Sequence, residues 1–328
     1  VGYGAGGGLI FFHPNEYRAA AKDGRLDKRL IEKISPTPPS ITAAGGFYTE
    51  NGSWAAGIGH LSIWKKDKIR YKVGAGGGSI NLDYYGKGIF AERSRRFNTD
   101  LFGITNEIIF RLKNSDWWTG LGYSFAMMNI EFEKNFDWLG LDWNKIKTRN
   151  GALLPSIAFD NRDNIFTPNK GIRWYFQYGY HATWLGGTEK YQSFNTYFFG
   201  YLPLAPGYVL AIRIDQKSVF GDPTFIYKPY LVMRGLPAMK YQDDNATLIE
   251  LEQRAAIYKR WSVVLFGGLG KTYSTISDFG QEELVYNYGT GFRYILARKF
   301  GLHMGMDFAW GPEDFGFYVT FGSGWFRL

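Results

Sequence analysis

The sequence is built from segments in which apolar and polar residues alternate one by one. In Thr247–Tyr258, for example, Ile249 and Leu251 fall on one face, and Glu250 and Glu252 fall on the other. Successive side chains of a β-strand point to opposite faces, whereas an α-helix repeats about every 3.6 residues. Because the alternation recurs along the chain between short polar turns, it predicts an all-β fold of antiparallel strands.

The aromatic residues indicate the environment of this sheet. An apolar face would look inward in a water-soluble sandwich and outward in a wide membrane barrel, so the alternation alone permits both. The chain of 328 residues contains 27 Phe, 23 Tyr and 11 Trp, and several lie near strand ends, such as Trp117, Trp184 and Trp310. Aromatic girdles at both interfaces are typical of outer-membrane barrels. We therefore predict that residues 1–328 form a single transmembrane antiparallel β-barrel.

The number of strands follows from the same pattern. Fifteen strand-like segments can be identified, from Gly4–Phe12 to Gly316–Phe326. Their connections alternate between short turns and long loops, and outer-membrane barrels have short periplasmic turns and longer external loops. Bacterial single-chain barrels have an even number of strands. We therefore expect sixteen strands, with one lying upstream of Val1.

One segment departs from the period of two. Residues 15–34 have helical spacing, with Leu26, Leu30 and Ile34 on one side, and the Pro-rich run Ser35–Pro39 ends the pattern. We predict a helical insertion between the first two readable strands, on the periplasmic side. Three roles remain open for it: capping the barrel mouth, lying in the membrane interface, or docking a partner.

Charge and motifs exclude several classes of function. The net charge of +8 is typical either of a solvated surface or of attraction to anionic lipid head groups. The chain contains no run of five basic residues, so no nucleic-acid partner is expected. It contains no Cys, no H-E-x-x-H motif and no G-x-S-x-G motif. We therefore predict no enzymatic activity, no cofactor and no metal site.

The longest connection contains a single arginine. The loop Phe220–Asn245 carries Arg234 and precedes the strand that contains Glu250 and Glu252. A guanidinium group can bind a carboxylate through two parallel hydrogen bonds, so in one interpretation Arg234 pins the loop to the lumen wall. In the other, it is an ordinary solvent-exposed arginine. The chemistry of the residues alone leaves both interpretations open.

Two motifs resemble those of one protein family. The loop run Met233, Arg234, Gly235 and Leu236 resembles the V-R-G-F/Y motif of the bacterial surface-antigen superfamily, the BamA/TamA-like outer-membrane assembly barrels. A second segment, residues 160–171, resembles a turn motif of the same family, which has the form D-x-R-D-N-x-F-x-P-x-x-G. Its residues in this chain are Asp160, Arg162, Asp163, Pro168 and Gly171.

This resemblance implies a barrel of the Gram-negative outer membrane, in a short form without the family's POTRA domains. It also implies that Arg234 binds carboxylates of the lumen. The family often carries an Asp where this chain has Gly268, so Glu252 is expected to be the sole partner, with Glu250 as a substitute. The family also carries an aromatic residue at the position of Leu236.

The function implied by the resemblance is insertion or translocation of proteins at the outer membrane. A weak seam between the first and last strands would open laterally and pair with a client strand, and glycines would loosen it. The expected seam residues are Gly322, Gly324 and Phe326. The expected partners are outer-membrane lipids, a client outer-membrane or secreted protein, and a second copy of the chain. A passive solute channel and a membrane anchor of a larger protein are the alternatives.

Overall fold

A computed structural model of the protein describes residues 4–13, 38–85, 95–133, 145–325 and 327. These residues form one antiparallel sheet of fifteen strands, in which the order of the strands is their order in the chain. The predicted helical insertion at 15–34 lies outside the described residues. The strands are β1 Gly4–His13, β2 Ser40–Thr49, β3 Trp54–Trp64, β4 Ile69–Tyr84, β5 Arg95–Arg111, β6 Trp117–Phe132, β7 Lys145–Asp160, β8 Gly171–His181, β9 Tyr191–Ala205, β10 Tyr208–Phe220, β11 Asn245–Tyr258, β12 Trp261–Tyr273, β13 Val285–Ala297, β14 Leu302–Trp310 and β15 Phe315–Phe321.

The fold class predicted from the alternation is confirmed, and the two faces are arranged as a membrane barrel requires. On β11, the apolar residues Ile249 and Leu251 are 40% and 47% exposed, whereas Glu250 and Glu252 are 1% and 5% exposed. A water-soluble protein buries its apolar side chains and exposes its charges. The reversed arrangement fits an outer face in contact with lipid.

The described residues contain no helix that is long and apolar enough to span a membrane.

The chain divides into two compact units. The first consists of Val1–Leu82, Arg96–Ser156 and His181–Glu189. Within it, Glu107 is buried, accepts a hydrogen bond of 2.6 Å from Ser156 and forms an ion pair with Lys72. The first unit therefore also contains buried polar side chains that are paired with one another.

The strand β1 lies at one end of the strand order. Among the described strands it pairs only with β2, through a continuous register from Gly4 opposite Thr49 to His13 opposite Ser40. All its residues from Gly4 to Phe11 are exposed. One backbone edge of this glycine-rich strand is therefore left without a neighbour in the described sheet.

The second unit consists of Asp83–Arg95, Ile157–Tyr180 and Lys190–Leu328. Its strands carry the charged face that the sequence predicts. The register places Arg213 opposite Glu250, Glu250 opposite Gly268, and Gly268 opposite Asn287. These four residues therefore form one row across β10, β11, β12 and β13.

The last strand is shorter than predicted. The alternation suggested a strand to Phe326, but β15 ends at Phe321, and Gly322 follows with a φ of +81°. This left-handed backbone turns the chain out of the ladder, and the Gly322 N–H donates to the carbonyl of His303 (2.8 Å). Gly322 and Gly324 therefore lie beyond the strand, and Phe326 lies outside the described residues.

Candidate functional site

The long loop between β10 and β11 packs onto the charged face of the second unit. Its two arms are joined by hydrogen bonds from the Leu231 N–H to the Tyr241 carbonyl (2.9 Å) and from the Asp243 N–H to the Pro229 carbonyl (3.1 Å). Leu231 and Met233 are buried in one apolar cluster with residues of β11 and β13. The loop is therefore a folded element that covers the sheet.

Hydrogen bonds with two different strands hold the backbone of Arg234 and Gly235. The Arg234 carbonyl accepts a hydrogen bond of 2.9 Å from the Asn287 side chain, and the Gly235 N–H donates to the Tyr318 hydroxyl (2.8 Å). Gly235 has a φ of +85°, and a Cβ there would lie 2.9 Å from the backbone of Trp310. Only glycine fits this position, because it combines a left-handed backbone with a close approach of another chain segment.

The structure brings Arg234 and Glu252 together. Nη1 of Arg234 donates to Glu252 Oε2 (3.0 Å) and to Asp307 Oδ2 (2.7 Å). The guanidinium carbon lies 3.4 Å from the centre of the Phe266 ring, which adds a cation–π contact. Burial alone would lower the pKa of the guanidinium, but the carboxylates of Glu252, Glu250 and Asp307 outweigh it and raise the pKa above its ordinary value.

The expectation of a single carboxylate partner is wrong. Asp307 on β14 is the second carboxylate that Arg234 contacts, and it is itself held by a two-point ion pair with Arg293. Glu250, the expected substitute, accepts a hydrogen bond of 2.6 Å from Arg213 and lies 3.9 Å from Arg234. Asp307 lies on the polar face of the alternating segment Leu302–Trp310, and that position was the signal that could have identified it.

The geometry explains why no carboxylate stands at position 268. A Cβ on Gly268 would lie 2.4 Å from Glu250 Cγ and 2.9 Å from Asn287 Oδ1. The space that a side chain would need is thus filled by the neighbouring strands. The acidic group appears instead at Asp307, two strands away.

The turn between β7 and β8 is held by hydrogen bonds that use most of the residues that the sequence identified. Asp160 binds Arg162 through two hydrogen bonds of 2.8 and 2.9 Å. Asp163 Oδ1 accepts hydrogen bonds from the backbone N–H groups of Asn169 and Lys170. Gly171 has a φ of +101° and starts β8, so a Cβ there would be strained.

This turn also touches the charged face. The carbonyl of Pro168 accepts a hydrogen bond of 2.9 Å from Arg254 on β11, two residues after Glu252. The Phe166 carbonyl accepts a hydrogen bond of 2.8 Å from the Ser323 N–H. The turn is therefore joined both to the strand that carries the carboxylates and to the segment after β15.

The chain after β15 folds onto the same face. A Cβ on Gly324 would lie 2.9 Å from Nη1 of Arg234 and 2.7 Å from Oε2 of Glu252, so Gly324 stands directly beside this ion pair. Arg327 donates a hydrogen bond of 2.6 Å to Asp215. We call the buried ionic groups of this face the charged cluster. It consists of Arg213, Asp215, Arg234, Glu250, Glu252, Arg293 and Asp307.

The charged cluster offers ionic contacts for holding a loop, and no chemistry for a metal. In the part of the chain that the structure describes, no group of three or more His, Cys, Asp or Glu residues could hold a metal ion. Each of its carboxylates is engaged by an arginine. What the arrangement can do is fix the position of the loop and of the C-terminal segment.

The sequence matches one known protein family over part of its length. Residues 68–224 match the Omp85 superfamily domain. This match spans slightly less than half of the chain. The resemblance to outer-membrane assembly barrels is thereby confirmed, and so is the predicted location in the outer membrane of Gram-negative bacteria.

Two solved structures share the fold of this chain. BamA from Haemophilus ducreyi lacking POTRA domains 1–3 is 12% identical with a TM-score of 0.58, and the match covers 97% of this chain and 70% of that chain. CdiB from Acinetobacter baumannii is 9% identical with a TM-score of 0.55, and the match covers 97% of this chain and 56% of that chain. None of the curated proteins compared with the sequence matches it.

Proposed function

We propose that this Omp85 barrel inserts or translocates client proteins at the outer membrane without enzymatic chemistry. The observation that carries the proposal is the open edge of β1, which has one neighbour among the described strands. An exposed strand edge offers backbone groups to a strand of another protein, and such strand addition is a common mode of recognition.

The composition of β1 supports this role. Four of its first five residues are glycines, Gly4 and Gly6–Gly8. Glycine packs poorly within a strand and allows a second backbone to approach closely. The edge can therefore accept different client strands, because recognition rests on the backbone and not on matching side chains.

We propose that Arg234 acts as a lock in this process. Its contacts keep the loop packed on the charged face while the barrel is idle, and release of the loop accompanies client passage.

The proposal is tested by a single-cysteine cross-link, because the chain contains no Cys of its own. Gly7→Cys places a thiol on β1, where a Cβ meets no atom within 4 Å. The matched control is Gly280→Cys in the connection between β12 and β13, where a Cβ also meets nothing within 4 Å. Each variant is reconstituted in vesicles and mixed with an unfolded outer-membrane barrel protein that carries one Cys in its last strand.

The expected result is a disulfide with Gly7→Cys and none with Gly280→Cys, together with faster folding of the client than in protein-free vesicles. Equal cross-linking of both variants would indicate random collision and would contradict strand addition. Unchanged folding of the client would contradict the role in insertion.

A further inference from the structure

Lysines occupy strained positions on the short turns. Among the described residues, six non-glycine residues have a positive φ, and four of them are lysines. They are Lys65, Lys66, Asp67, Lys113, Met239 and Lys259. All except Met239 lie on short turns between strands. Side chains other than Gly, Asn and Asp are disfavoured in this conformation because the Cβ crowds the carbonyl oxygen. Turn geometry therefore does not explain why lysine stands there.

The turn between β3 and β4 shows this most clearly. Lys65, Lys66 and Asp67 have φ values of 51°, 58° and 62°, and the Lys68 N–H closes the turn on the Trp64 carbonyl (3.1 Å). Asn or Gly would adopt the same turn with less strain. Strain that persists at a surface turn points to a role for the side chains themselves.

The acidic residue of this turn faces inward. Asp67 is buried and accepts hydrogen bonds from Arg70 at 2.6 and 2.7 Å and from Arg111 at 2.9 Å. Both guanidinium groups lie 4.3 Å from the centre of the buried Trp118 ring. Lys65, in contrast, is exposed. The ion pairs of Asp67 with Arg70 and Arg111 thus hold the turn from its buried side.

A second turn is tied to the first. The Arg111 N–H donates to the Lys68 carbonyl (2.9 Å), and Lys113 follows with a φ of 55° in the turn between β5 and β6. Two tryptophans flank the pair of turns, Trp64 with 46% and Trp117 with 38% of its surface exposed. Exposed tryptophan is typical of the interface between membrane and water. The lysines of both turns therefore stand at the level of lipid head groups.

We propose that these two turns form a binding site for the head group of an anionic phospholipid. Exposed ammonium groups donate hydrogen bonds to phosphate oxygens, and a fixed group of positive charges favours a lipid with net negative charge over a zwitterionic one. The flanking tryptophans place their rings beside the acyl-chain boundary. The solvated-surface interpretation of the net charge leaves the left-handed lysines unexplained, whereas a lipid site gives their side chains a role.

The test separates charge from turn geometry. The turn variant combines Lys65→Asn, Lys66→Asn and Lys113→Asn. Asparagine suits a left-handed turn, so the variant should keep its fold, and its thermal midpoint should stay the same or rise. The control removes the same number of charges from exposed lysines near the long loops, by combining Lys145→Gln, Lys147→Gln and Lys190→Gln.

Each protein is reconstituted in phosphatidylcholine vesicles with spin-labelled phosphatidylglycerol or spin-labelled phosphatidylcholine. The fraction of immobilised label gives the preference for the anionic lipid. We expect this preference to be at least about fivefold lower in the turn variant than in the parent protein. A factor of about this size is what one lysine contributes near an anionic surface. The control should keep the preference, and a Lys→Arg version of the turn variant should keep it as well.

Three results would overturn the proposal. The first is an unchanged preference in the turn variant. The second is an equal loss in the control, which would mean that overall charge decides. The third is loss of the preference when inorganic phosphate is added at constant ionic strength, which would mean that the turns bind free phosphate.

Discussion

Replacing Arg234 by alanine should release the loop from the charged face. Arg234 is 9% exposed, and its partners Glu252 and Asp307 are 5% and 0% exposed. Removing one member of such a buried ion pair typically costs about 3–5 kcal/mol, because the other charge stays buried without its partner. Here Asp307 keeps its ion pair with Arg293, and Arg293 also lies 3.9 Å from Glu252. Because Arg293 still compensates part of the buried charge, we expect the lower end of this range, about 3 kcal/mol. This value shifts the equilibrium between the docked and the undocked loop by roughly a hundredfold.

Hydrogen exchange measured by mass spectrometry reports this equilibrium directly. The N–H groups of Leu231, Gly235 and Asp243 form hydrogen bonds that hold the loop together or attach it to the sheet. In Arg234→Ala, loop peptides that contain these groups should exchange up to about a hundred times faster, while peptides of β11 and β12 should keep their rates. Single-channel recordings should show a higher conductance at the same time, since the loop no longer covers the charged face.

The same loop offers a matched control. Lys228 also forms an ion pair, with Asp244 at 2.7 Å, but both side chains are more than a quarter exposed. Exposed pairs contribute only about 0–1 kcal/mol, so Lys228→Ala should change the loop exchange by less than about fivefold. If Arg234→Ala and Lys228→Ala behave alike, or if the loop exchanges in Arg234→Ala as in the parent protein, the idea of an arginine lock is refuted.

Three further substitutions test the geometry of the lock. Arg234→Lys should restore little protection in hydrogen exchange, because an ammonium group reproduces neither the planar fork nor the stacking on Phe266. Gly235→Ala should raise loop exchange, because a Cβ there would lie 2.9 Å from the backbone of Trp310 at a φ of +85°. Gly268→Asp adds the carboxylate typical of related proteins but should lower the thermal midpoint, because its Cβ would lie 2.4 Å from Glu250 Cγ.

The alternation was sufficient to predict the strands, whereas the contact between Arg234 and Glu252 was expected only from the family resemblance. A period of two is a local property, so the faces of β11 and the position of Glu252 could be assigned without a structure. The contact between Arg234 and Asp307 joins residues 73 positions apart and depends on the register of four strands, so the second partner could not be assigned. Register follows from pairing across the sheet and has no local signature.

Backbone conformation was the other part that could not be predicted. The alternation after Phe315 continues past Gly322, so the sequence suggests a longer strand than the one that ends at Phe321. Glycine permits both an extended and a left-handed conformation, and tertiary contacts decide between them. The left-handed lysines of the short turns have no sequence signal at all, because propensity argues against them.

The charged cluster is electrostatically incomplete without the two segments that fold onto it. From the sheet itself, two arginines of the cluster, Arg213 and Arg293, face four carboxylates: Asp215, Glu250, Glu252 and Asp307. Arg254, the buried arginine of β11, donates instead to the turn at Pro168. The missing positive charges come from Arg234 in the loop and Arg327 in the C-terminal segment, which bind Glu252 and Asp215.

Undocking either segment would therefore leave buried carboxylates short of a partner, which is costly in a medium of low polarity. Undocking both segments would leave several carboxylates of the sheet without a cationic partner. These carboxylates are stable only when water solvates them. The two segments also touch, since Gly324 lies beside the Arg234 ion pair. Docking of the loop and docking of the C-terminal segment consequently favour each other, and displacement of one segment weakens the hold on the other.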